Sequence, residues 1–86
     1  FLYPNPFNPY VNIQINFVKY KNIKINIYGV RGNLIKTLIN IKSSQNITKV
    51  LWDGTNNNQE KISSGLYFCV INLDQKRMTR KIIYLK

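Results

Sequence analysis

The sequence predicts an all-β fold: an antiparallel β-sandwich of six to seven short strands, one domain over residues 1–86. Three observations carry this. Apolar residues recur with period two in one segment after another. Clusters of Gly, Asn, Asp and Ser separate those segments at roughly ten-residue spacing. No stretch shows a 3.6-residue apolar stripe with helix caps.

The elements follow in order. Residues 1–10 cannot be helical, because Pro4, Pro6 and Pro9 lack an N–H and push their predecessors to extended angles. This lead-in is extended, with Phe7 as its anchor into a core. Val11, Ile13, Ile15 and Phe17 alternate with polar residues, so Val11–Phe17 reads as a half-buried strand. Val18 to Asn22 is a polar connection. Ile23, Ile25 and Ile27 repeat the alternation in a second strand, Ile23–Tyr28. Gly29 to Asn33 is a turn. Leu34–Ile39 is a third strand, apolar on both sides in places. A polar loop over Lys42–Asn46 leads to a fourth strand, Ile47–Trp52, with Thr48, Val50 and Trp52 on one face. The indole of Trp52 fills the core. Asp53 to Asn58 is dense in turn formers, and Asp53 accepts backbone N–H groups as an Asx turn. Ile62 touches the core before Ser63-Ser64-Gly65. Leu66–Leu73 is a strong strand with Tyr67, Cys69, Ile71 and Leu73 inward. Asp74 to Arg77 forms a hairpin turn, and Met78–Leu85 closes the fold.

Composition narrows the function. Thirteen Lys and Arg oppose three Asp and Glu, for a formal net charge of +10. Two readings account for this. Ten of the basic residues are Lys, and Lys, Asn and Ile all have A/T-rich codons, so codon bias explains much of it. Codon bias does not explain the shortage of acids, which points to an anionic partner. Arg reads bases and phosphates bidentately, and only Arg31, Arg77 and Arg80 are present. Nucleic acid is therefore the least favoured partner. The aromatic residues fall on inward positions or at strand ends, as core and belt packing requires.

The chemistry of an enzyme is missing. There is no His, and the single Cys rules out an internal disulfide and the usual zinc sites. Cys69 lies on the apolar face of its strand and reads as a small buried hydrophobe. Asp53, Glu60 and Asp74 sit in predicted turns, so paired-carboxylate catalysis is not expected. The Asp53–Asn58 loop holds one carboxylate, too little charge for a good calcium site. No catalytic residue, metal or cofactor is expected. Asn46-Ile47-Thr48 fits the N-glycosylation pattern, which is common by chance. No apolar run approaches the roughly 18 residues of a membrane-spanning helix, and no charged-then-apolar leader opens the chain, as in a mature protein or a fragment.

Several segments together carry a resemblance. Tyr3-Pro4-Asn5-Pro6-Phe7-Asn8-Pro9 resembles the opening signature of the C-terminal sorting domains of the type IX secretion system, found on secreted proteins of Bacteroidetes and related phyla. These domains are similar to the Ig-like domain of flagellar hook-capping proteins. The resemblance continues through Ile25 to Gly32, Leu34 to Ile39, Trp52-Asp53-Gly54-Thr55-Asn56 and Ser64-Gly65-Leu66-Tyr67-Phe68. It ends in a terminal strand, Thr79 to Lys86. Asn46 and Gln59 stand where the family often has Gly, and Lys61 where Pro is frequent. All three lie in loops.

The resemblance implies an Ig-like sandwich at the C-terminus of a larger cargo, recognised as a folded module by the outer-membrane secretion machinery. In many members the domain is cut off and the cargo is attached to anionic lipopolysaccharide at the cell surface. Arg80, Lys81 and Lys86 are the expected contacts, with the exposed parts of Pro4–Pro9. The proline motif also has a structural reading, as a seal over a sheet edge. Two alternatives differ in class. One is a module of an extracellular fibre that self-associates through strand edges. The other is a cell-surface glycan-binding domain.

Overall fold

A computed structural model describes residues 11–14, 22–42 and 49–85. The Tyr3–Pro9 signature, Ile15, Phe17, Asn46 to Thr48 and Lys86 lie outside the described residues. The described residues form six strands and no helix: β1 (Val11–Gln14), β2 (Ile23–Gly29), β3 (Leu34–Ile41), β4 (Lys49–Trp52), β5 (Gly65–Leu73) and β6 (Lys76–Tyr84). All pairings are antiparallel. One sheet has the order β3-β2-β5-β6, and a smaller one pairs β1 with β4.

Period-two alternation sets which side chains meet between the sheets. Ile23, Ile25 and Ile27 of β2 and Cys69, Ile71 and Leu73 of β5 lie in one core with Ile82 and Tyr84 of β6. Val11, Ile13, Val50 and Trp52 of the smaller sheet join the same core. All four are inward because Val11 pairs with Trp52 and Ile13 with Val50. The inward faces assigned from the sequence to β2, to β5 and to Val50 and Trp52 are the ones the fold buries.

Among the described residues, strand bounds shift by one or two residues from the sequence reading, and two of the differences have physical consequences. The last hairpin turns in two residues, Asp74 and Gln75, with Leu73 paired to Lys76. Asp74 takes a left-handed φ of 52°, which suits a two-residue hairpin, so Lys76 and Arg77 belong to β6 and not to the turn. The turn is also tied down: Asn22 N–H donates to Asp74 Oδ1 at 2.8 Å, and Asp74 N–H donates to Asn22 O at 2.9 Å. The second difference is β3, which runs to Ile41 and pairs irregularly with β2. Asn26 faces Thr37 and Ile25 faces Ile39, so Leu38 is an extra residue; Ile35 is another. These two bulges explain why β3 is apolar on both sides, since Ile35, Leu38, Ile39 and Ile41 all pack against the core.

Candidate functional site

The motif residues Trp52, Asp53, Gly54 and Tyr67 converge on one corner of the core. Trp52 is fully buried and donates its indole N–H to Thr55 O at 3.0 Å. Its ring meets Tyr67 edge-on, with centroids 5.5 Å apart, and Tyr84 at 5.4 Å in a tilted arrangement. Tyr67 O–H donates to Ser63 O at 2.7 Å, anchoring the segment that leads into β5. Gly65 opens β5 opposite Tyr84.

Gly54 is required twice over. Its φ is +75°, and a Cβ would fall 2.2 Å from the Tyr84 hydroxyl oxygen. The expected Asx turn is present: Thr55 N–H and Thr55 Oγ1–H both donate to Asp53 Oδ1, at 3.1 and 2.5 Å. The Thr55 hydroxyl is the main reason the Asp53 carboxyl titrates below its ordinary 3.8, and the Lys36 ammonium adds to it. The same loop carries Gln59 at a φ of 64°, a left-handed position of the kind that favours glycine.

One residue escaped the sequence reading. The bulge at Leu38 rephases β3 so that Lys36 pairs with inward-facing Ile27. Lys36 Nζ then donates to Thr55 Oγ1 at 3.1 Å, Asn56 O at 3.1 Å and Gln59 Oε1 at 3.2 Å. Beside it, Asn57 N–H donates to Ile35 O at 2.9 Å, and Thr37 N–H donates to Asn57 Oδ1 at 3.0 Å. The Asn-rich loop thus supplies hydrogen bonds to the bulged edge of β3. The available signal was a strand whose apolar residues fit no single alternation.

Of the expected contact residues, Arg80 and Lys81 are described, and they do not share a face. Arg80 pairs with buried Cys69 and so stands on the core side of β6, exposed because β6 is an edge strand. Lys81 pairs with Phe68 and stands on the opposite face. Consecutive strand residues must separate in this way. Cys69 itself is fully buried, and burial pushes its thiol up to about 12. A cleft of about 470 Å³ opens at the end of the sheet beside the Gly29–Asn33 turn, lined by Val30, Arg31, Ile62, Ser63 and Leu66 among others. Among the described residues, no group of three or more His, Cys, Asp or Glu is placed to hold a metal ion.

The motif therefore defines a class before a family: a small all-β module whose signature residues build a folded corner. Residues 1–85 match the secretion system C-terminal sorting domain family, and the chain belongs to it. It is a C-terminal sorting signal of type IX secretion, which directs export across the outer membrane to the cell surface or beyond and implies interaction with the secretion machinery. The solved structure of dimeric latent PorU from Porphyromonas gingivalis contains a similar fold, with a TM-score of 0.62 and 25% identity. That match covers 96% of this chain and 9% of PorU, so the chain spans a small part of that protein's length. No curated protein sequence matches.

Proposed function

We propose that this chain acts as a folded address tag: an Ig-like sandwich at the C-terminus of an upstream cargo domain, recognised by the outer-membrane translocon as a shape. The family match over residues 1–85 carries this reading. The two sheets closing on one core support the sandwich. Recognition of shape is favoured because Trp52, Gly54 and Tyr67 serve the fold and present little surface of their own. A net charge of +10 suits delivery to an anionic outer surface, and the cargo is then attached to lipopolysaccharide. Its role in this reading is to be recognised, not to catalyse. Its three carboxylates are engaged by Thr55, by Asn56 Nδ2 and by Asn22 N–H, and its thiol is buried.

A mass measurement tests the anchoring step. Residues 1–86 are fused behind a secretion leader and a reporter in a host with a working type IX system. The reporter recovered from the surface should lack the domain and carry lipopolysaccharide. Surface reporter with the domain intact and no glycolipid would remove the anchoring step and leave sorting standing.

A further inference from the structure

The outward face of the four-stranded sheet does not have the composition of a solvated face. An antiparallel sheet with one face in water alternates apolar-in with polar-out. The outward positions of β5 are Leu66, Phe68, Val70 and Asn72, so three of its four are apolar. Across the registers they meet Tyr28 of β2 and Ile83 of β6, and Leu34 of β3 lies beyond Tyr28. Leu34 is 48% exposed and Leu66 37%, while Tyr28, Phe68, Val70 and Ile83 are half-buried. The patch reaches the sheet end that borders the cleft beside Val30 and Leu66, and Val30 is 66% exposed. In the middle of the same face Asn26 is buried. Its Nδ2 donates to the Tyr28 hydroxyl at 3.2 Å, but its Oδ1 has no hydrogen-bond partner. Folds rarely leave such an acceptor orphaned without a reason.

The charge on the strands of this face has one sign, and the one carboxylate that borders it, Asp74, lies at the β5–β6 hairpin in a cleft shared with Lys24 and Asn72. Lys24, Arg77 and Lys81 stand at its outward positions, and no carboxylate stands on any described strand; Asp53, Glu60 and Asp74 all lie in loops or turns. A second copy of a chain at +10 would bring like charges together, which opposes self-pairing here. The complementary occupant is apolar at its centre and acidic at its rim.

We propose that the outward face of the β3-β2-β5-β6 sheet is the surface by which the secretion machinery reads this domain, and that the protein docking there presents an apolar patch flanked by carboxylates. The inference rests on the sorting function and adds the face and the partner's chemistry. Apolar residues seated centrally carry most of the affinity in such an interface, and the basic rim sets encounter rate and selectivity.

The test uses the same reporter fusion, with each variant's melting curve measured on the purified chain to confirm folding. Leu66→Ser with Phe68→Ser should lower surface delivery by about tenfold, the loss expected for central interface residues. Lys24→Glu, an exposed change made separately, should also lower delivery while leaving the melting curve unchanged. Leu51→Ser, on the smaller sheet, should change nothing; Leu51 is 46% exposed and equally apolar. Failure of the unaltered fusion to reach the surface would contradict the sorting function itself. Delivery of the unaltered fusion and of folded Lys24→Glu and Leu66→Ser/Phe68→Ser chains at equal levels would overturn the proposed face. A sedimenting dimer that Leu66→Ser/Phe68→Ser dissolves would mean that a second copy covers the face, and would overturn the acidic partner.

Discussion

Gly54 shows how far a single position determines this fold. Any side chain there meets the Tyr84 ring and must also accept a left-handed backbone. Gly54→Ala is expected to cost about 3 kcal/mol, from left-handed strain and overpacking together. Trp52→Ala should cost about 3–5 kcal/mol by leaving a cavity, a large share of what a domain of this size has in reserve. Chemical denaturation of both variants checks these values, and an unchanged midpoint for Trp52→Ala would mean the indole is not core. Asp53 adds a pH dependence. Its folded pKa is depressed below 3.8, chiefly by the Thr55 hydroxyl, so its stabilisation is present above that value and is lost as pH falls through the lower folded value. Thr55→Val should therefore be less stable than the unaltered chain near neutral pH. The gap in midpoint should narrow as pH drops below about 4.

At the scale of elements, much of the fold was legible because period two is a local property. Ile23, Ile25 and Ile27 declare their face without reference to any partner, and so do Tyr67, Cys69 and Ile71. What was not legible depends on a second strand. The bulges at Ile35 and Leu38 exist only relative to β2, and they alone turn Lys36 inward to the Asn-rich loop. The hairpin was misread for a related reason. Lys76 and Arg77 look like turn residues by polarity, but the left-handed Asp74 reverses the chain before they are reached. The separation of Arg80 from Lys81 was available from alternation, and adjacency in the motif concealed it. The loop's role at the β3 edge makes a local prediction. Asn57→Ala removes the acceptor for the Thr37 N–H. Hydrogen exchange at Thr37 should then quicken, while amides of the β5–β6 pairing keep their protection.

Across the whole molecule, charge and core divide the work. The core is shared by both sheets and takes in Trp52 and Tyr67 of the motif, which leaves those two little surface for recognition. The net charge of +10 points to an anionic partner, and family membership places the chain on a route through the outer membrane. The missing acids acquire a meaning there, because a face with only Lys and Arg on its strands selects an acidic partner and resists its own copies. The central claim is that this folded module is sufficient as an address. The most direct measurement is surface fluorescence of a leader–reporter–domain fusion carrying residues 1–86, compared between an intact type IX strain and a translocon mutant. The account predicts surface signal in the intact strain and none in the mutant; reporter held in the periplasm of the intact strain would contradict it.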